Sequence, residues 1–339
     1  MQNSWDQEGA DAIVRLGMGY RASHALLSAI EIGVFTELAD HEIEGEILIG
    51  RLELHPRGAR DFLDTLVALK LLKREGTRYA NTPAAGIYLD CTKPSYIGGL
   101  FEPENGRMHA DWDSLTAALR SGRPRSASAE PNAHPYAPLH DPAKLEIFLS
   151  AISGANWHAA HALAERFPWG DYRQFVDIGA GQGALCSSIA SAHEHLSGGG
   201  FDFPEARPSF ERHVARQSLS HRLRFYPGFL LEDPLPPADV LVFGDLLCHW
   251  NLDQKKLLLG KAYHALTDEG ALIVHGTLID DDRKDNITGL LDSLAMLLHT
   301  PGGFEFTGVE CSAWMAEVGF RETSVQRLTE SEFMIVGIK

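Results

Sequence analysis

Phe175–Gly183 reads FVDIGAGQG, an apolar run that ends in an acid and leads into three alternate glycines, Gly179, Gly181 and Gly183. The run has the texture of a buried strand, and the GALCSSIASA that follows has the texture of a helix. Backbone without side chains lets a ligand lie close to a strand end. The spacing is GxGxG rather than the GxGxxG of dinucleotide pyrophosphate sites, and Asp177 stands before the first glycine, where it would repel a phosphate. A cationic or neutral nucleoside suits this turn better. The next strand, GGFDF, ends at Asp202, 25 residues beyond Asp177, where a carboxylate can accept both ribose hydroxyls.

Strand and helix alternate from Gln174 onward. ADVLVFGD precedes LDQKKLLLGKAYHAL, and GALIVHG precedes ITGLLDSLAMLLH. That order predicts a mostly parallel sheet with both faces covered. Upstream, Met108–Leu119 and Ala143–Phe167 read as helical, and 121–138 (SGRPRSASAEPNAHPYAP) reads as a mobile surface excursion rich in Pro, Ser and Ala. Residues 10–75 are helical in period. Phe62, Leu66 and Leu69 are expected on one face of a helix that leads into a hairpin around Glu75 and Gly76, which is a winged-helix pattern.

The 339-residue chain is 44% hydrophobic and 22% charged, the balance of a folded globular protein. Its formal charge of -16 repels phosphate backbones and anionic lipid, so packing or dimerisation is favoured for the winged helix over DNA binding. No basic start with an apolar run and no membrane-length apolar stretch is visible, which makes the cytoplasm the expected compartment. Cys91, Cys186, Cys248 and Cys311 are scattered and form no CxxC pair, so reduced thiols are expected.

The ordered motifs DIGAGQGAL, GFDFPEA, RFYPGFLLEDPLPPADVLVFGDLLCHW, ALTDEGALIVHGTLIDDD, LHTPGGFEFTG and WMAEVGF resemble, over about residues 10–339, the S-adenosylmethionine-dependent small-molecule O-methyltransferases that carry an N-terminal dimerisation domain. The resemblance implies an α/β Rossmann-like methyltransferase domain over 101–339 and a helical winged-helix dimerisation domain over 1–100, assembled as a homodimer. It also implies that Asp177, Gly179, Gly181 and Gly183 line the methionine moiety of the cofactor. Asp202, with Phe203 beside it, takes the ribose, and Gly228 and Phe229 meet the adenine. Phe229 stands where the family has an acid, so stacking and another polar contact are expected there.

The chain also departs from the family. The family base is a histidine in an LHDW motif, whereas this chain reads Leu247, Cys248, His249, Trp250, which puts Cys248 at the base position. His275 stands where one family carboxylate lies, Glu305 keeps the other, and His299 ends the helix before PGGFEF. His249 and His275 both follow strands that deliver them to one sheet edge. With His299 they make a three-imidazole set suited to zinc or iron. That departure resembles the metal-dependent α-keto-acid C-methyltransferases, and the expected reaction is methylation of C3 of a 2-oxo acid through a metal-held enolate, with Glu305 or metal-bound hydroxide as base. The alternatives are a metal-free O-methyltransferase of a hydroxylated aromatic metabolite with His249 as base, a damaged or repurposed site, and a non-catalytic S-adenosylmethionine-binding or DNA-binding regulator. Trp157 and Phe148 are expected to form an apolar substrate wall, Glu102 or Glu104 to meet a guanidinium, and the His158–His161 pair to be a helix-surface feature.

Overall fold

The computed structural model describes residues 7–93, 95–101, 111–124 and 141–339. The chain divides into two compact units, Met1–Gly106 and Arg107–Lys339.

In the first unit, helices α1 (Gln7–Gly17), α2 (Tyr20–Ile32), α3 (Val34–Leu38), α4 (Gly45–Arg51), α5 (Pro56–Ala68) and α6 (Pro83–Tyr88) accompany a small antiparallel sheet of β1 (Ile43–Glu44), β2 (Leu72–Glu75) and β3 (Arg78–Asn81). Gly76, at φ +60°, turns the β2–β3 hairpin. Val34, Phe35, Leu38, Leu48, Leu63 and Leu66 form its fully buried centre. The α5 face differs slightly from expectation. Ala59, Leu63 and Leu66 are buried, Phe62 is half-buried and Leu69 is exposed, because the stripe inward is set by i, i+4, i+7 from Ala59. On α1, Ile13 and Leu16 are 73% and 81% exposed, which leaves an apolar stripe with nothing over it among the described residues.

The second unit carries α7 (Leu115–Ser121), α8 (Pro142–Ala155), α9 (Trp157–Arg166), β4 (Gln174–Ile178), α10 (Ala184–Ala192), β5 (Ser197–Asp202), α11 (Arg207–Arg216), β6 (Leu223–Pro227), β7 (Ala238–Gly244), α12 (Leu252–Ala265), β8 (Leu266–Thr277), α13 (Ile287–His299), α14 (Gly308–Val318), β9 (Glu322–Arg327) and β10 (Glu332–Ile338). The seven strands are ordered β6-β5-β4-β7-β8-β10-β9. β6 through β8 are parallel, and β10 enters antiparallel between β8 and β9. Both faces are covered, as a parallel sheet requires. Phe175, Val240, Val242 and Ile273 pack into one core layer, while Val176, Ile178, Leu241, Phe243 and Leu272 pack into the other.

Local chemistry sets the helix ends. Asn251 and Gln254 form a reciprocal capping box on α12, and Thr307 and Glu310 form one on α14. The helical stretch expected over Ala143–Phe167 is two helices broken at Asn156, whose φ and ψ of −87° and 6° leave the helical region. Within the described residues, the segment expected from Met108 is helical at Asp111 and passes through a 3-10 turn at Trp112–Ser114 into α7. Glu102, Glu104 and residues 125–138 lie outside the described residues. No helix among the described residues is long and apolar enough to cross a membrane.

Candidate active site

Strand order reverses between β4 and β7, and in open parallel sheets ligands bind in the crevice beyond the carboxyl ends at such a switch point. The cleft found there is lined by Asp177, Gly179, Gly181 and Asp202 on one side and by Gly244, Asp245, Leu246, His249 and His275 on the other. Ser153, Asn156 and Ala160 from the α8–α9 junction close it.

Gly179, Gly181 and Gly183 have φ of +82°, +54° and +80°, a conformation that side-chain-bearing residues rarely adopt. A Cβ on Gly183 would also stand 2.6 Å from the Phe210 ring. The Asp202 carboxylate holds this turn in place, accepting from Gly181 N–H and from Phe203 N–H at 2.8 Å each. Asp177 is buried beneath the turn and accepts from the Cys186 thiol. Burial, and then the neighbouring Asp202 charge, pushes Asp177 up to about 7. Burial pushes Asp202 to about 6 against the two backbone N–H groups. Among the described residues the cleft lining has no lysine or arginine. A turn without Cβ atoms, floored by two carboxylates that lack a cation, fits a positively charged nucleoside and disfavours a phosphate.

Gly228 follows β6, and its N–H donates to the Asp202 carbonyl at 3.0 Å. Phe229 is 45% exposed, and its N–H donates to Asp233, a carboxylate that sequence reasoning did not single out.

On the other side of the cleft, a 3-10 turn over Leu247–His249 brings His249 to the lining and turns Cys248 inward. The Cys248 thiol donates to the Asp245 carbonyl at 3.4 Å and hydrogen-bonds Glu305. Burial, then the Glu305 and Asp245 charges, pushes it well above the usual thiol range, so it is no thiolate at neutral pH. Glu305 is buried and raised to about 8 by burial, then by Asp245 and Asp292, which makes it largely an uncharged acid at neutral pH. Lys255 is fully buried beside it, donates to the Phe304 carbonyl at 3.0 Å, and is lowered by burial to about 8.

The expected three-histidine metal set is not assembled. His249 and His275 reach the cleft, but His299 sits 3.2 Å from Asp111 through Nδ1 and is not in the lining. Among the described residues no three His, Cys, Asp or Glu side chains are grouped so as to hold a metal ion. Spacing placed His299 at a helix end, but it could not show that the helix turns that end toward Asp111. The substrate wall also differs from expectation. Phe148 packs into the core layer, while Trp157 is 47% exposed and lies with its ring centroid 3.9 Å from that of His161. Asp245 and Asn156 were missed. The available signal was an acid directly after an apolar strand, the pattern that located Asp202.

Residues 112–321 match the O-methyltransferase domain family, and residues 14–90 match the O-methyltransferase dimerisation domain family. The chain is 39% identical to the tetracenomycin polyketide synthesis 8-O-methyl transferase TcmO of Streptomyces glaucescens, over 98% of this chain and 97% of that one. It is 34% identical to the N,N-dimethyltransferase OxyT of Streptomyces rimosus, over 97% and 96%. It is 27% identical to the 3-hydroxy-5-methyl-1-naphthoate 3-O-methyltransferase of Streptomyces sahachiroi, over 96% and 94%. Its fold superposes on human N-acetylserotonin methyltransferase in complex with SAM with a TM-score of 0.89 at 26% identity, covering 100% of this chain and 99% of that one.

These relatives overturn the expectation of carbon methylation of a 2-oxo acid. The relatives named for oxygen methylation include one acting on a hydroxynaphthoate, and the metal set on which the enolate reading stood does not form. A non-catalytic or DNA-binding role for the winged helix falls as well, since that segment is the family's dimerisation domain. The chain is an S-adenosylmethionine-dependent methyltransferase and belongs to the O-methyltransferase family that carries its own dimerisation domain.

Proposed function

We propose that this enzyme methylates a hydroxyl group of an aromatic secondary metabolite, with His249 accepting the hydroxyl proton. The observation that carries this reading is that His249 lines the same cleft as the glycine turn and the Asp177–Asp202 floor. When bound, the cofactor supplies an electrophilic methyl group on a sulfonium. Gly179, Gly181 and Gly183 admit its methionine portion, Asp177 offers a carboxylate to that end, and Asp202 accepts from the ribose hydroxyls. Phe203, Gly228 and the exposed Phe229 ring provide the adenine side. His249 removes a proton that would otherwise leave the attacking oxygen a weak nucleophile. Cys248 and Glu305 hold the turn beneath it, thiol against carboxylic acid. The names of TcmO and the naphthoate enzyme support an oxygen acceptor on a ring system, and the name of OxyT makes nitrogen the competing outcome.

The test supplies the enzyme with cofactor carrying a carbon-13 methyl and a panel of hydroxylated and aminated naphthalenes, and reads the product by NMR. The labelled carbon is expected on oxygen. Label on nitrogen alone contradicts the reading.

Residues 1–100 are proposed to pair two chains, with 101–339 performing the chemistry. The exposed Ile13 and Leu16 on α1 support this, because an uncovered apolar stripe of that kind marks an association surface. Light scattering is expected to give twice the 37.2 kDa chain mass. Replacing Leu16 by Glu should shift the mass toward one chain, and an unchanged mass in that variant would place the interface elsewhere. The four free cysteines support a reducing, cytoplasmic setting.

A further inference from the structure

Beside His249 the cleft contains polar groups that deprotonation of a hydroxyl does not use. Asp245 is the first residue beyond β7 and has φ +44°, a strained value for a residue with a side chain. Its carboxylate is held from several directions. Oδ2 accepts from the Asn156 side-chain amide at 2.8 Å, and Thr277 N–H also donates to the carboxylate. Oδ1 lies against Gly276, where an added Cβ would stand 2.5 Å from it. Gly276 has φ +155°.

His275, at the end of β8, lies across Gly244, where an added Cβ would be 2.5 Å from Nε2. The ring is 95% buried, and neither nitrogen has a partner among the described residues. Burial lowers it to about 4, so it is a neutral imidazole with one donor and one acceptor. Asp245, Asn156, Gly244 and His275 all line the cleft.

Two glycines thus make room for a fixed carboxylate and an unpartnered imidazole. Leaving the buried His275 ring unsatisfied is costly, while the Asp245 carboxylate, already held by Asn156 and Thr277, keeps acceptor capacity beside it. The carboxylate only accepts, whereas the imidazole presents both an N–H and a bare nitrogen. An ammonium would satisfy the carboxylate but not the N–H. A carbonyl would satisfy the N–H but not the carboxylate. A hydroxyl satisfies both.

We propose that Asp245 and His275 bind a second hydroxyl of the acceptor, on the carbon next to or across the ring junction from the one methylated, so that the substrate class is a vicinal or peri-dihydroxylated aromatic. The proposal rests on the oxygen-methylation reading above. Asp245 accepts the second hydroxyl's hydrogen, and His275 N–H donates to its oxygen. His249, four residues beyond Asp245 on the same cleft, is then left facing the neighbouring hydroxyl.

The test uses the full-length enzyme and three acceptors that differ only in their hydroxyls: vicinal dihydroxynaphthalene, peri-dihydroxynaphthalene and a mononaphthol. Affinity is measured by calorimetry on protein saturated with S-adenosylhomocysteine, and kcat/KM is measured with the methyl donor. At least one dihydroxy acceptor is expected to exceed the mononaphthol by at least about 100-fold, a floor below the roughly 10,000-fold discrimination of sites fully built to hydrogen-bond a hydroxyl. Asp245→Gly, which suits the positive φ, and His275→Ala should each bring that ratio to within about threefold, with affinity for S-adenosylhomocysteine kept within about twofold.

Equal affinity of the wild type for all three acceptors would overturn the proposal and leave the subsite to water. Loss of S-adenosylhomocysteine affinity in either variant would assign the subsite to the cofactor and overturn it as well. Oxygen methylation of all three at equal rates removes this inference alone. No binding and no turnover of any of them removes the oxygen-methylation reading too. The wild-type comparison decides the question even if a variant fails to fold.

Discussion

Replacing His249 by Gln is expected to lower kcat by between about a hundredfold and ten thousandfold, the usual contribution of a positioned general base. Affinity for S-adenosylhomocysteine should not change. The size of the loss follows from what else stands nearby. Burial pushes Cys248 so far up that the thiol already holds its proton at neutral pH, and Glu305 holds one too, with its carboxyl raised to about 8. Neither can substitute for the imidazole. Asp245 remains as an ionised carboxylate on the same cleft, raised by burial only to about 6 and engaged by Asn156. A variant that keeps more than about a tenth of wild-type kcat would therefore move the base from His249 to Asp245.

Asp202→Ala should weaken S-adenosylhomocysteine binding by about a hundredfold or more, because the charge-assisted hydrogen bonds proposed to the ribose would go and the glycine turn loses the acceptor of Gly181 N–H. Asp202→Asn keeps the size but not the charge, and should lie between the wild type and alanine. The same carboxylates give the wild type a pH signature. In the ligand-free protein Asp177 and Asp202 titrate at about 7 and about 6, and the ionised forms receive the ligand. Affinity should therefore fall as pH is lowered through 7 and 6, with protons released on binding between those values.

Stability of the ligand-free protein has the opposite sign for these groups. Their folded values are raised, so their contribution is full at low pH and is lost as pH rises through about 6 and 7. His275, lowered to about 4, works against them, because its contribution is present above the usual histidine range and is lost as pH falls toward 4. Calorimetric titrations with S-adenosylhomocysteine at several pH values check the affinity slope. A pH-independent affinity would mean that neither carboxylate changes protonation on binding.

The glycine turn was legible because it depends on backbone conformation, and alternate glycines directly after an apolar strand mark a turn that takes positive φ. Asp202 was legible for a similar reason, since strand period and the length of the connecting helix fix where the next strand ends. His249 and His275 could be assigned to one sheet edge because consecutive parallel strands deliver their carboxyl ends together. His299 could not be assigned in that way. It ends a helix, and a helix end takes its neighbours from how the helix packs, which sequence period does not state. Its partner Asp111 lies 188 positions away in the chain, with nothing in either local sequence to connect them.

The same limit applies to β10. Its unbroken apolar run, Phe333–Val336, has the texture of a strand, but entry between β8 and β9 in the antiparallel sense is a matter of topology. Asn156 breaks a helix that periodicity carries straight through. The break turns a side chain toward Asp245 from a segment 89 residues away. Gly276 and Gly244 look incidental in VHGTL and VFGD, and only the close approach of Asp245 and His275 explains them. Substituting Cys248 for the family's histidine suggested metal chemistry because residue type was legible and side-chain direction was not. The thiol points into a buried pair with Glu305, while the next residue reaches the cleft.

The central claim, that His249 takes the proton of the methylated hydroxyl, is tested most directly by a structure of the enzyme with S-adenosylhomocysteine and a dihydroxylated aromatic acceptor. One hydroxyl oxygen is predicted to face the cofactor sulfur and to lie within about 2.6–3.2 Å of a His249 ring nitrogen. A reactive oxygen held by Asp245 or by Glu305, with His249 turned away from it, would contradict the account.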